Sequence, residues 1–167
     1  NSGTGALTIQ NAGAVSANSS YIGNVAGSSG TATLTGSGSQ WSNTGTFHVG
    51  YNGTGSLTIQ GGATVTAANT QVGGGAGASG TATVMGSGSQ WSTSGSFSLG
   101  YSGTGALTIQ DAGIVSANNA FIGNNAGSSG TATVTGSGSQ WNTSAYFIVG
   151  NSGTGALTIQ NAGAVSA

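Results

Sequence analysis

Residues 51–73 read YNGTGSLTIQGGATVTAANTQVG, and this stretch holds the pattern that decides the fold. Its β-branched and apolar residues lie in three short runs that alternate with polar residues and are separated by Gly, Asn and Ala. Such alternation between turn residues is typical of short β-strands. A helix is disfavoured, because glycine and β-branched residues are frequent and no apolar stripe follows a 3.6-residue period.

The same stretch recurs along the chain. GTGALTIQ begins at Gly3, Gly103 and Gly153, and GTGSLTIQ begins at Gly53, so the repeat is 50 residues long. Within each repeat, an apolar residue followed by glycine closes a short unit of about 23 residues and then a long unit of about 27 residues. The chain therefore divides into six units and part of a seventh: 1–23, 24–50, 51–73, 74–100, 101–123, 124–150 and the partial 151–167.

Three strands in a unit of this size fit one coil of a parallel β-helix, in which stacked coils lie about 4.8 Å apart. We expect an all-β fold: a single β-solenoid of about 6.5 coils, alternately short and long, with three short strands per coil and a glycine closing each coil. Residues 1–17 and 151–167 are identical, and neither end of the sequence is atypical. We therefore expect the chain to be a fragment of a longer repeat array.

Stacking of equivalent residues predicts the core as a set of columns. The first column is predicted to be Leu7, Leu34, Leu57, Val84, Leu107, Val134 and Leu157, with Ile and Gly alternating beside it from Ile9 and Gly36 onward. Valines alternate with tryptophans in the second strand, and Ser20, Thr70 and Ala120 alternate with phenylalanines in the third. Large residues thus coincide with small ones, which keeps the volume per layer constant. The predicted structural core is Leu7, Ile9, Leu34, Trp41, Phe47, Leu57, Ile59, Trp91, Phe97, Leu107, Ile109, Trp141 and Phe147.

A different reading of the tryptophans is an exposed platform for stacking against sugars. The repeated feature of the predicted surface is threonine, which suits a solvated sheet face. We predict an outward contact face in which every coil contributes one threonine, and beside it a second column in which Met85 interrupts the threonines. The face consists of Thr4, Thr31, Thr54, Thr81, Thr104, Thr131 and Thr154.

The composition excludes several classes of function. The chain has no Lys, Arg, Cys or Pro, and charged residues make up 1% of it. Without cations there is no phosphate clamp, so we expect no binding of nucleic acid or of anionic membrane surfaces. Disulfides and thiolate metal sites are impossible. No apolar run reaches the ~20 residues that span a bilayer, so we expect no direct membrane insertion.

Two residues could carry chemistry, and neither recurs. His48 falls in an outward column of the third strand, where its equivalents are Ser98 and Ile148. Asp111 is equivalent to Asn11, Gly61 and Asn161, as expected of a turn residue. One imidazole and one carboxylate do not make a metal site or a carboxylate pair. We predict no catalytic, cofactor-binding or metal-binding residues, no cofactor and no enzyme activity.

The repeat resembles that of a known family. GTGALTIQ, YIGNVAGSSGTATLTGSGSQW and FHVGYNGTGSLTI are similar to the roughly 50-residue repeat of bacterial type V secretion (autotransporter) passenger proteins, and the resemblance covers the whole chain. It implies a right-handed parallel β-helix, secretion to the extracellular space or the bacterial outer-membrane surface, and a role as an adhesin or biofilm factor.

These observations predict a non-enzymatic structural segment of a secreted surface fibre that contributes to adhesion, biofilm or self-association. The expected partner is another copy stacked end to end, or the rest of a longer parent chain. The alternatives are a carbohydrate-binding solenoid face, with surface glycans or other cells as partners, and an ice-binding protein that uses the threonine columns.

Overall fold

The computed structural model describes residues 2–167, which contain only β-strands and turns. All paired strands are parallel, and they stack in about seven turns to form a β-solenoid. The predicted fold class, a parallel β-helix, is confirmed. Each turn has three faces, and the strands of the inner turns hydrogen-bond to their counterparts in the turns before and after them.

The first face is a seven-stranded sheet, and it contains the longest regular strands of most coils. Its strands run in chain order along the solenoid axis. They are β1 (Thr4–Ile9), β4 (Ser29–Thr35), β7 (Thr54–Gln60), β10 (Ser79–Met85), β13 (Thr104–Gln110), β15 (Ser129–Thr135) and β17 (Thr154–Gln160).

The second and third faces are built from shorter strands. The second face contains β2 (Ala14–Ala17), β5 (Gln40–Asn43), β8 (Thr64–Ala67), β11 (Gln90–Thr93) and β18 (Ala164–Ser166). The third contains β3 (Ser20–Ile22), β6 (Thr46–Val49), β9 (Asn69–Val72) and β12 (Ser96–Leu99).

In the fifth and sixth coils these two faces are joined into β14 (Ile114–Ile122) and β16 (Gln140–Val149). The expectation of three separate strands in every coil is therefore wrong for these two coils. The register between β14 and β16 shifts after Ala117, at the corner between the faces. In the sixth coil Ala145 stands where the other two long coils have Gly45 and Gly95. A Cβ at Gly95 would lie 2.8 Å from the carbonyl oxygen of Ala68, so that corner has no room for alanine, whereas at Ala145 the strand β16 continues through the corner.

The register of the first face differs from the predicted one. Thr4 faces Ser29, Ser29 faces Thr54, and Thr54 faces Ser79, so every coil advances by half of the repeat on this face. Leu7 accordingly faces Ala32, and Leu34 faces Ile9. The predicted column of Leu7 with Leu34 and the Ile–Gly alternation beside it are both wrong. The observed inward columns are Leu7, Ala32, Leu57, Ala82, Leu107, Ala132, Leu157 and Ile9, Leu34, Ile59, Val84, Ile109, Val134, Ile159.

The difference between short and long units appears in full only on the third face. There Ser20 faces Phe47, and Phe47 faces Thr70. The loops between the faces compensate for this difference in coil length. The loop from the third face back to the first has six residues, 23–28, after a short coil and four, 50–53, after a long one. The shorter loop after a long coil thus compensates for its two extra residues, so that the next strand of the first face begins in the same register.

On the other two faces the predicted columns are confirmed. Val15 faces Trp41, and Trp41 faces Val65. Ser20 faces Phe47, and Phe97 lies between Thr70 and Ala120. Each long coil thus contributes two aromatic residues, and the short coils before and after it have valine and a small residue at the same positions, which allows the rings to pack closely.

Two sets of glycines meet at the corner where each coil closes. Gly100 has a φ of 69°, and a Cβ on it would lie 2.3 Å from the carbonyl oxygen of Ser129. Gly80, the second residue of β10, would place a Cβ 2.1 Å from the carbonyl oxygen of Val49. Real Cβ atoms do not approach backbone so closely, so both positions require glycine. The same contact recurs between the closing glycines 50, 73, 123 and the second-position glycines 55, 105, 130, 155.

Candidate functional site

The outer surface of the first face carries an uninterrupted threonine column. Thr33 lies between Thr8 and Thr58, and Thr83 lies between Thr58 and Thr108. Met85 belongs to a different column, in which it faces Gln60 and Gln110. The complete column, one residue for each of seven coils, is Thr8, Thr33, Thr58, Thr83, Thr108, Thr133 and Thr158.

The seven threonines of the predicted contact face all lie on this outer surface, but not in one column. Thr4, Thr54, Thr104 and Thr154 alternate with serines 29, 79 and 129. Thr31, Thr81 and Thr131 occupy the next column, alternating with Ala6, Ser56, Ala106 and Ala156. The predicted single column is wrong because it assumed the unequal advance of the third face, whereas this face advances by half a repeat at every coil.

The tryptophans lie in the core. Trp91 and Trp141 have no exposed surface, and Trp41 is 6% exposed. The rings of Trp41, Phe47 and Trp91 continue into Phe97, Trp141 and Phe147 as an unbroken edge-to-face series, with centroids 4.7 to 5.8 Å apart. This geometry suits aromatic packing and leaves no ring face free for a sugar. Of the other predicted core residues, Leu7 in the first coil is 39% exposed and Phe147 is half-buried.

Trp41 differs from the other two tryptophans in its hydrogen bonding. Its Nε1 donates to Ser20 Oγ at 3.0 Å, and Ser20 Oγ donates to Asn43 Oδ1 at 2.5 Å. At the equivalent positions the third strand has Thr70 and Ala120. The Nε1 atoms of Trp91 and Trp141 are buried without a partner among the described residues.

His48 and Asp111 lie in different coils and on different parts of the solenoid. The imidazole is buried under Tyr21, whose ring stacks on it with centroids 4.6 Å apart, and Tyr51 contacts it edge-on. Asp111 occupies an exposed turn with a φ of 52°, and its Oδ2 accepts from the side chain of Gln110. Within residues 2–167, no three His, Cys, Asp or Glu side chains come together as a metal site would require.

The imidazole of His48 is held in an uncharged setting. Burial lowers the pKa of His48 below its ordinary value, and a side-chain hydrogen bond with Gln71 acts in the opposite direction. Its other neighbours, Tyr21 and Tyr51, are neutral aromatic rings. The fold therefore favours the neutral form of this histidine.

A groove of about 350 Å³ lies on the third face, and the sequence did not predict it. Ser98 lies in its floor, between Gln71 and Phe121 in one column. Ser98 is small where the equivalent positions hold His48 and Ile148, which creates the depression. The lining residues are Thr46, Asn69, Thr70, Gln71, Ser96, Ser98, Tyr101, Phe121, Asn124 and Asn151.

Comparison of the chain with protein-family models, with curated proteins and with solved structures finds no match. Among the described residues, no helix is long and apolar enough to cross a membrane. The candidate sites are thus the two that the structure itself provides, the threonine face and the groove.

We predict that the free energy of unfolding decreases as the pH falls below about 6.5. The unfolded chain binds a proton on His48 more readily than the folded chain does, so acid favours unfolding. The contribution of His48 to the free energy of unfolding is fully present above about pH 6.5, and it is lost as the pH falls through the lowered pKa of His48. Urea denaturation at a series of pH values between about 7.5 and 5.5, one unit on either side of the ordinary histidine pKa, measures the effect.

The matched control is His48→Ser, which installs the residue found at the equivalent position, Ser98. In this variant the free energy of unfolding should be nearly constant over the same range, because the variant lacks the imidazole that titrates there. A wild-type protein whose stability does not depend on pH, or a variant that keeps the full dependence, would contradict the assignment.

Proposed function

We propose that the chain is a non-enzymatic structural segment of a secreted bacterial surface fibre, of the autotransporter passenger type, that contributes reach, adhesion and self-association. The observation that carries the proposal is the constant advance on the first face, where every coil moves on by half a repeat. Any number of further repeats can therefore be added without change of register. Such a solenoid gains length and stability with each repeat, because a repeat contacts only its neighbours.

Three features favour self-association. The edge strands of the first sheet are β1 and β17, and both lack the Lys or Pro that commonly blocks edge pairing. With a formal net charge of −1, two molecules repel each other very little. The end of the core column at Ile159 is 47% exposed, so a further coil stacked there would cover it.

We predict that the isolated chain associates with increasing concentration and that Ile159→Lys abolishes the association. The substituted ammonium group would lie at the end of an apolar column, where a stacking coil must bury it. In the single molecule the position is partly exposed, so the charge remains solvated. Sedimentation velocity over a range of concentrations measures the effect.

The matched control is Thr158→Lys, which adds the same charge one residue away, on the exposed outer surface of β17. It should associate like the wild type. Bacteria that display the wild type or Thr158→Lys on their surface should clump, and bacteria that display Ile159→Lys should not. A wild type that stays monomeric at every concentration and does not clump cells would refute the proposal.

A second candidate function is ice binding, and the unbroken column from Thr8 to Thr158 favours it. The column presents a hydroxyl and a methyl group at every coil, about 4.8 Å apart. The outward column on one side of it consists of Ser, Thr and Ala, and the column on the other side contains Thr35, Gln60, Met85 and Gln110. A regular and uncharged array of this kind can order water.

If this candidate is right, the chain shows thermal hysteresis and inhibits ice recrystallisation, and Thr83→Lys removes both activities. A lysine in the middle of the column breaks its flatness and brings a strongly hydrated charge. The control is Thr66→Lys, an exposed threonine on the second face, which should keep full activity. Freezing behaviour equal to that of buffer would exclude ice binding.

A further inference from the structure

The groove on the third face is formed by three adjacent outward columns. The floor column contains Gln71, Ser98 and Phe121, which face one another in successive coils. One wall is formed by Thr46, Asn69 and Ser96, and Asn69 Oδ1 accepts a hydrogen bond from the backbone N–H of Ser96. Because the lining residues come from successive coils, the groove runs along the solenoid axis.

The opposite wall begins at the corner where the coils close. Tyr101, Asn124 and Asn151 form one column. Backbone hydrogen bonds show this: the N–H of Asn125 donates to the carbonyl oxygen of Tyr101, and the N–H of Ser152 donates to the carbonyl oxygen of Asn124. The amide groups of Asn151 and Asn124 are joined, with Nδ2 of Asn151 donating to Oδ1 of Asn124 at 3.0 Å. An aromatic ring thus stands beside a ladder of side-chain amides.

The chemistry of the lining is uniform. It consists of amides, hydroxyls and two aromatic side chains, Tyr101 and Phe121, with no charged residue.

We infer that this groove binds a neutral polysaccharide chain, lying along the solenoid axis. An uncharged lining provides no counter-charge for an anionic or cationic ligand, whereas amides and hydroxyls match the many hydroxyl groups of a sugar chain. The apolar faces of sugar rings pack on aromatic side chains, and Tyr101 and Phe121 provide them at one part of the groove. A groove that crosses several coils accommodates several sugar units.

The site is distinct from the threonine face, and it extends the proposed fibre by giving it a ligand. Its position also distinguishes it from the buried tryptophans, which form the aromatic core. The repeat itself determines where the site lies: one full repeat later, Ser98 is replaced by Ile148 and Tyr101 by Asn151. The groove should therefore be a property of the central repeat.

Two substitutions test the inference, and each installs a residue that the chain already uses at the equivalent position. Ser98→Ile fills the floor, and Tyr101→Asn removes the aromatic wall. Probes are neutral oligosaccharides of β-1,4-linked glucose, β-1,4-linked N-acetylglucosamine, α-1,4-linked glucose and α-linked mannose, with an oligouronate as the anionic counterpart. Isothermal titration measures binding, and circular dichroism checks that the fold is retained.

The wild type should bind at least one neutral oligosaccharide and prefer longer chains, with the uronate weaker. Tyr101→Asn should weaken binding roughly tenfold, and Ser98→Ile should remove it. Met85→Thr, a substitution on the first face that copies Thr35 and Thr135, should bind like the wild type. No binding to any neutral probe, preference for the uronate, or undiminished binding by both groove variants would overturn the inference.

The result is separable from that for the fibre. Ile159→Lys should keep its affinity for the oligosaccharide while losing self-association, since the substitution lies at the end of the core and the groove lies on the third face. Ser98→Ile and Tyr101→Asn should self-associate like the wild type. Failure of the glycan experiment therefore leaves the structural proposal standing, and failure of association leaves the groove to be judged by titration alone.

Discussion

The fold depends on contact between backbones at the corner where each coil closes. A closing glycine and a second-position glycine meet there, and neither leaves room for a Cβ: at Gly55 a Cβ would lie 2.2 Å from the backbone nitrogen of Gly50. This contact allows the third face to return directly onto the first face. It also fixes the register, because the second-position glycines must stand over one another in successive coils, as Gly5, Gly30 and Gly55 do.

The rest of the structure follows from that register. With an advance of half a repeat, Leu7 and Leu57 alternate with Ala32 and Ala82. On the other two faces aromatic rings alternate with Val, Ser, Thr or Ala. The interior is then filled by two kinds of coil, one with two aromatic residues and an alanine, the other with a leucine, a valine and a small residue. The outer surface gains an unbroken column of threonine for the same reason. Since no side chain in this arrangement needs a charge, the near absence of charged residues costs the fold nothing.

Much of this was predictable from the sequence. The long repeat, the short alternating strands and the closing glycines predict a parallel solenoid, and the Val–Trp and Ser–Phe columns follow from them. The predicted register of the first face is wrong because Gly3-Thr4 and Gly30-Thr31 have the same sequence, which favours a column in which Thr4 stacks on Thr31. The glycines at positions 5, 30, 55 and 80 are evenly spaced, twice in every repeat, and would have given the correct register. The groove was not predictable, since it arises where Ser98 is small and Tyr101 stands across from it, in a pattern present in one repeat.

The most direct test of this account compares two glycine-to-alanine substitutions that have the same backbone strain and differ only in the space around the new methyl group. Gly100 and Gly77 have φ angles of 69° and 77°, but a Cβ at Gly100 meets the carbonyl oxygen of Ser129, whereas at Gly77 nothing lies within 4 Å. Gly77→Ala should cost about 1–2 kcal/mol for the left-handed conformation. Gly100→Ala should cost that and the forced separation of two coils, about 3–5 kcal/mol in total. Equal losses in the free energy of unfolding, measured by urea denaturation, would contradict the claim that backbone contact at the closing corner holds the solenoid together.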